Sequence, residues 1–370
     1  VMDSSFTFSA PGRTEICGNH TDHQHGCVLA AAINLDTTAE VRLNGRNAIC
    51  IDSEGYAPFE IKLDDLAARE DEKNTTAALV RGVAAAFAAR GCDIHGFDAK
   101  IRSSVLPGSG LSSSAAFEVL IGRILNGLFF GGRMSDVEIA QIGQYAECEY
   151  FGKPCGLMDQ MASSVGGLIY IDFKDPTLPV VEKIDYDFEK SGYTLCIVDS
   201  GADHAALTDE YAAIPRELEK VCALFGKRFL RDVDEVEFSA HLADVRCAAG
   251  DRAVLRAMHV YDENRRVQAQ IQALKRGDFD GFLKLINESG LSSWLYLQNV
   301  IPAGSTAHQD MAFTLALCRR LLGGKGAVRI HGGGFAGTVL AFVPDAQTGA
   351  FTAGIEAALG GGKVHALKIV

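Results

Sequence analysis

Apolar and polar positions alternate along residues 6–10 and again through residues 37–51, as in Thr38-Ala39-Glu40-Val41-Arg42-Leu43. A period of two predicts strands of a sheet covered on one face. The period then lengthens. Leu79, Val80, Val83, Ala84 and Phe87 recur at helical spacing within residues 75–90, and Gly91 supplies the stop. A strand is predicted over 97–105, then a glycine- and serine-rich loop, then a helix over 115–130 so apolar that it must be buried. Ser135 and Glu138 form a capping box for a helix reaching about residue 150, which puts Glu147 in its last turns. Residues 166–173 read as a strand. Residues 174–179, with Pro176 and Pro179, mark a boundary that divides the chain into domains 1–175 and 176–370. Beyond it the pattern predicts strands over 194–199, 328–331, 338–343 and 364–370, and helices over 205–225, 254–275 and 313–322. Strands and helices follow in irregular order, which predicts an α+β fold rather than regular βαβ winding.

The length of 370 residues has room for two domains. A net charge of −12 argues against nucleic acid or an anionic membrane as the main partner, and no obligate protein partner is evident. Any bound phosphate therefore needs local positive charge from an arginine, a helix N-terminus or a metal ion. The ten cysteines are scattered, with no Cys-x-x-Cys pair, and read as reduced core thiols. No signal-like segment opens the chain and no run approaches the ~18 apolar residues of a membrane span, so a cytoplasmic protein is expected.

Four stretches carry candidate chemistry. In Val105-Leu-Pro-Gly-Ser-Gly-Leu-Ser-Ser-Ser-Ala-Ala-Phe-Glu118, Gly108 and Gly110 free the backbone, and Ser112–Ser114 put hydroxyls beside the first-turn N–H groups of a helix. Such an end attracts phosphate, although an ordinary serine-capped helix fits the stretch equally well. It is not a P-loop, because the four Gly-Lys pairs continue into Pro154, Arg228, Gly326 and Val364. Gly332, Gly334 and Gly337 match Gly-x-Gly-x-x-Gly but lead into a strand, which excludes a Rossmann site. They form either a plain turn or a loop lying against a ligand. The segment Gly12–Gly26 is dense in ionisable groups; the order of His20, Asp22, His23 and His25 differs from binuclear zinc hydrolases, and a pocket pairing sugar hydroxyls suits it better. Asp159 sits in an apolar setting and needs either a cation such as Arg13 or the role of a helix cap.

Together these segments resemble the GHMP small-molecule kinases, and among them the galactokinase family. The family's first motif, Gly-Arg-x-Asn-x-x-Gly-Glu-His-x-Asp-Tyr-x-x-Gly, aligns with Gly12–Gly26; Gly-Leu-Ser-Ser-Ser-Ala is its second, and a Gly-x-Gly-Phe-Gly-Gly loop its third. Glu147 twelve residues before Asp159, His204 before Glu210-Tyr211, and Arg256-Ala257-Met258-His259-Val260 with Glu263 and Arg266 agree as well. The resemblance implies a two-domain architecture, with a mixed sheet and helices in each domain and the active site in the cleft between them. It implies ATP and Mg²⁺ as cofactors and a sugar as the partner, with transfer of phosphate to the anomeric hydroxyl of galactose. A different sugar, such as a galactose derivative, arabinose or a uronic acid, is the alternative, and a non-catalytic galactose sensor a weaker one. By the same resemblance Asp159 is the general base and Arg13 its cation. Gly108, Ser109, Gly110, Leu111, Ser112, Ser113, Ser114 and Ala115 form the phosphate loop, and Ser113 and Glu147 lie on the metal side. Asn19, His20, Asp22, Gly156, Asp159 and Tyr211 face the sugar. The chain departs from the family at Asn19, where it has Glu, at Glu15, where it has Asn, at His23, where it has Tyr, and at Ala336, where it has Gly. The first motif also falls closer to Val1 than is usual, so preceding sequence is expected.

Overall fold

The computed structural model describes residues 5–105, 109–153, 155–203 and 207–370. The alternation near the start becomes two long antiparallel strands, β1 (Ser5–Cys17), which extends beyond the predicted 6–10, and β2 (Cys27–Leu43), which begins ten residues before the predicted 37–51 and breaks at Leu43, the remainder of that segment falling on a separate strand from Ala48. The start of β2, Cys-Val-Leu-Ala-Ala-Ala-Ile, is apolar throughout because both of its faces are buried. Around this hairpin stand β3 (Ala48–Ser53), β4 (Phe59–Lys62), α1 (Thr76–Ala89), β5 (Phe97–Ser103), α2 (Ser113–Phe129), α3 (Asp136–Tyr145), α4 (Met158–Val165), β6 (Leu168–Asp172) and β7 (Val180–Lys183). The sheet runs β4-β3-β5-β2-β6-β7 with β1 on β2, and it is mixed because β3 and β5 are parallel. The capping box at Ser135 and Glu138 forms as predicted. The helix it opens ends at Tyr145, and a wide π-type turn, Ala146–Phe151, carries Glu147.

The second sheet is antiparallel. Its strands are β8 (Tyr193–Asp199), β9 (Ala327–His331), β10 (Thr338–Pro344) and β11 (Val364–Leu367), in the order β11-β8-β10-β9. Its helices are α5 (Thr208–Ala223), α6 (Glu235–Ala240), α7 (Leu242–Ala249), α8 (Asp251–Lys275), α9 (Phe279–Ser292), α10 (Asp310–Leu322) and α11 (Thr348–Leu359). The short α6 and α7, and the whole of α9 and α11, were not predicted. The prolines at 176 and 179 precede β7, which still belongs to the first sheet, and the second sheet opens at Tyr193.

Helices α1 and α2 cover one face of the first sheet, where Leu79, Val83, Phe87, Leu120 and Ile124 meet Val41, Ile49, Phe97 and Ile101. A second core joins the halves: Ile16, Leu29 and Ile33 pack with Val267 and Ile271 of α8, Phe282 of α9 and Leu340 of β10. The end of the chain crosses back as a strap, with Gly167 N donating to Val370 O at 2.7 Å and Val370 N to Ala32 O at 3.0 Å. The tail of β1 and the starts of α2 and α4 therefore meet beneath the β9–β10 turn. Among the described residues no helix is long and apolar enough to cross a membrane.

Candidate active site

Asp159 lies in the first turn of α4, where helix geometry favours an acid. It is not the cap: Arg13 Nε donates to its Oδ1 at 2.7 Å and the Ser112 hydroxyl to its Oδ2 at 2.5 Å. The Arg13 side chain is almost wholly buried, while Asp159 keeps 35 % of its side chain open to the cleft. Burial pushes the Asp159 carboxyl up, and Arg13 and the Ser112 bond overcome it, leaving it below its ordinary value and ionised at neutral pH. Arg13 also donates from Nη1 to Gly110 O at 2.6 Å, and its backbone N–H to Leu111 O at 3.0 Å. One buried guanidinium thus fixes both the candidate base and the glycine-serine loop.

In that loop Gly110 has φ 74° and Ser112 φ 57°, the left-handed region that a serine enters only when its surroundings enforce it. The turn aims the chain into α2, whose first helical bond runs from Ala116 N to Ser112 O. The N–H groups of Ser113, Ser114 and Ala115 precede that ladder, and the serine hydroxyls beside them are partly exposed, which is the donor array an anion needs. Thr338 Oγ1 donates to Ser109 O at 3.1 Å, so β10 backs the loop. A Cβ at Gly110 would come within 3.2 Å of His331 Nδ1, the mark of close packing against β9. Gly108 and His204 lie outside the described residues.

Glu147 is buried, with Lys153 Nζ at 3.3 Å on one oxygen and Gln160 Nε2 donating to the other at 2.8 Å. The same Gln160 amide donates to Glu118 at 2.9 Å. Glu118, one turn into the apolar α2, was missed in the sequence; burial and the nearby Glu147 hold its carboxyl well above the ordinary value. Asp22, Glu147, Lys153, Gly156 and Asp159 line a cavity of about 110 Å³. Gly156 is required there, because a Cβ would stand 2.6 Å from Asp22 Oδ2. Burial raises the Asp22 carboxyl, and the neighbouring His20 opposes that rise.

The remaining sugar candidates gather under the late glycine loop, whose carbonyls they hold. Asn19 Nδ2 donates to Gly332 O at 2.6 Å, a His20 ring nitrogen is 2.9 Å from Gly333 O, and the Tyr211 hydroxyl donates to Gly334 O at 2.8 Å. The loop is thus more than a turn between strands. Asn19 is 1 % exposed, and its amide also bonds Glu15 Oε1 at 3.1 Å and accepts from Asn299 Nδ2 at 2.9 Å. Its amide is therefore engaged by protein groups on every side. Glu15 is paired in turn with Arg329, a wholly buried cation in β9. His20 and His23 touch, but His25 stacks on Phe229 instead, and among the described residues no group of three or more His, Cys, Asp or Glu side chains converges to hold a metal.

Two family models match: the galactokinase galactose-binding signature over residues 2–43 and the GHMP kinases N-terminal domain over residues 78–167. The galactokinase of Glaesserella parasuis is 33 % identical over 356 residues, 92 % of this chain and 86 % of that protein. The chain belongs to the galactokinase family. The galactokinase of Mannheimia succiniciproducens is 31 % identical over the same shares of the two chains. The crystal structure of Lactococcus lactis galactokinase complexed with galactose superposes with a TM-score of 0.82 at 26 % identity, covering 99 % of this chain and 94 % of that one. Methanococcus jannaschii mevalonate kinase, at 14 % identity and a TM-score of 0.71, shares the GHMP kinase fold. Membership makes the chain a sugar kinase, a phosphotransferase that uses ATP. The signature matches across the first motif despite Glu15, Asn19 and His23.

Proposed function

We propose that the protein transfers the terminal phosphate of ATP, with Mg²⁺, to the anomeric hydroxyl of galactose, giving galactose 1-phosphate and ADP in the cytoplasm. The observation that carries this reading is the chain of contacts Gly110–Arg13–Asp159–Ser112, which locks a partly open carboxylate to the loop that receives the phosphates. The galactose complex of the Lactococcus lactis relative supports the substrate, and the free state of all ten cysteines supports the compartment.

Phosphate oxygens dock on the N–H groups and hydroxyls at the start of α2, where donors are fixed before the reaction begins. Asp159, held below its ordinary value, is a weak base against a sugar hydroxyl. It therefore accepts the proton as the phosphorus–oxygen bond forms rather than beforehand, as a loose transition state allows. Arg13 keeps Asp159 ionised and aimed. Asp22, held beside Gly156, and His20 and Tyr211 orient the sugar's hydroxyls.

The Ser113 hydroxyl and the Glu147 carboxylate are hard oxygen donors of the kind magnesium takes alongside phosphate and water, so the residues fit that ion. When bound, it would neutralise the charge gathering on the transferred phosphate. Lys153 and Gln160 hold the Glu147 carboxylate in place until then.

The test is ADP release over galactose, its 2- and 6-modified analogues, arabinose, galacturonate and N-acetylgalactosamine, with ³¹P NMR to locate the new phosphate. Galactose should give the highest kcat/KM and an anomeric phosphate. Better turnover of another sugar replaces the substrate; binding of galactose without turnover replaces the activity.

A further inference from the structure

The loop between β1 and β2, residues 18–26, carries Asn19, His20 and Asp22, and its two ends meet. A Cβ at Gly18 would fall 2.6 Å from Cys27 O, and the Thr21 hydroxyl sits 2.9 Å from Gly18 O and 2.7 Å from Cys27 O. A closed loop of this kind still needs an outside anchor to fix its tilt. That anchor comes from α8, more than two hundred residues later in the chain. Glu263 Oε1 accepts from Cys17 Sγ at 3.0 Å, Gly18 N at 3.2 Å and Asn19 N at 3.3 Å. One turn earlier, a His259 ring nitrogen lies 2.9 Å from Asn19 O. At the other end of the loop Asn264 Oδ1 accepts from Cys27 N at 2.9 Å, and a Cβ at Gly26 would stand 2.5 Å from the same oxygen.

The helix-side groups are themselves braced. The Ser289 hydroxyl donates to Glu263 Oε1 at 2.6 Å and Arg266 Nε to Oε2 at 2.7 Å, and Glu263 and His259 have no exposed surface. Asn19 O can only accept, so His259 carries its proton on Nε2, and its Nδ1 accepts from the Ser292 hydroxyl at 2.8 Å. None of these side chains lines the cavity beside Asp159.

We infer that His259, Glu263 and Asn264 are positioning residues: α8 is a clamp that grips both ends of the 18–26 loop and sets where its sugar-facing side chains stand. The Arg-Ala-x-His-Val block and the Glu263 that follows it thereby acquire a role at the sugar site without touching the sugar. Positioning errors of about an ångström cost rate or affinity out of proportion to the worth of any single hydrogen bond. Because ATP is held by a different element, α2, the clamp acts on the sugar alone.

The inference rests on the sugar-kinase reading, and the test separates the two. Glu263→Gln and Asn264→Ala are compared with the wild type for KM of galactose, KM of ATP and kcat, together with hydrogen exchange of the peptide 17–27. Asn264 is partly exposed, so its variant is expected to fold even where Glu263→Gln does not. The expected result is a galactose KM at least tenfold higher, an ATP KM within twofold, and faster exchange at residues 17–27 in a protein of unchanged circular dichroism. His259→Gln, which keeps an N–H donor for Asn19 O, should restore much of what His259→Leu loses. Unchanged exchange at 17–27, or a galactose KM that moves no more than that for ATP, overturns the inference. If the wild type proves inactive on galactose, the proposed function falls and the exchange result alone decides the clamp.

Discussion

Arg13 Nε and Asp159 Oδ1 stand 2.7 Å apart although 146 positions separate them in sequence. The contact pins the second half of strand β1 to the first turn of α4, and through Gly110 O it reaches the loop before α2. Asp159→Asn keeps the shape and removes the charge. Turnover should fall at least ~100-fold, the scale of a lost general base, while calorimetry still registers galactose binding. Near-normal kcat in a folded variant removes Asp159 from that role.

The same contact sets a pH limit. A carboxyl held below its ordinary value stays ionised, and so competent, until the pH falls through its lowered value. In Arg13→Gln the burial of Asp159 is no longer opposed by the guanidinium, so its carboxyl rises. The acid limb of kcat against pH should therefore move to higher pH relative to wild type. An unmoved limb assigns it to another group.

Stability carries a separate pH signature. Burial pushes His259 down to about 4 and His23 to about 3, and His331 well below its ordinary value. The unfolded chain binds these protons first, below about pH 6.5, so each histidine's contribution is complete above that pH and is lost as pH falls toward its folded value. Glu118, whose folded value is raised, works in the opposite direction: its contribution is present in acid and is lost as pH rises through that value. Urea midpoints between pH 4 and 6.5 should therefore vary less steeply with pH in His331→Gln and more steeply in Glu118→Gln. Parallel profiles in all three proteins contradict both assignments.

Gly156 and Asp22 make a steric prediction. A methyl group at 156 meets Asp22 Oδ2 at 2.6 Å, and the carboxylate must swing away. Gly156→Ala should raise the galactose KM about tenfold or more with little change in melting temperature, since residue 156 is exposed. An unchanged KM separates Asp22 from sugar binding.

Glu15 and Asn19 form a carboxylate–amide pair in which the family's two residue types have exchanged places. Asn19→Glu alone puts a second carboxylate beside Glu15 and removes a donor from Gly332 O, so a destabilisation of about 3–5 kcal/mol is expected. Glu15→Gln with Asn19→Glu returns one charge to the pair, and a double-mutant cycle should give a favourable coupling of about 1–3 kcal/mol. Additive effects would mean that the two residues act independently.

Local signals exposed much of this in the sequence. The period of α1, the capping box of α3 and the strand–loop–helix order around residues 97–130 depend on neighbours within a turn or two, and each appears where the pattern put it. Helix α9 was hidden because Gly281 and Gly290 look like breakers. Gly290 is there for another reason, since a Cβ on it would strike Val328 O at 2.6 Å. At the site, Asp159, Arg13 and the serines were legible as residue types with a chemistry. The engagement of Asn19 was not, because its partners Gly332 and Asn299 lie some three hundred positions away. Arg329 gave only the faint signal of a charge within an apolar strand, and its meaning required Glu15 opposite.

The strap at the end of the chain bears on the order of folding. The edge between β2 and β6 is completed by residue 370, so the first sheet emerges from the ribosome long before its last backbone partners exist. Contacts of such long sequence separation close late and slowly. Ala32 and Asn34 of β2 thus receive their last backbone partners only once residues 368–370 have been made.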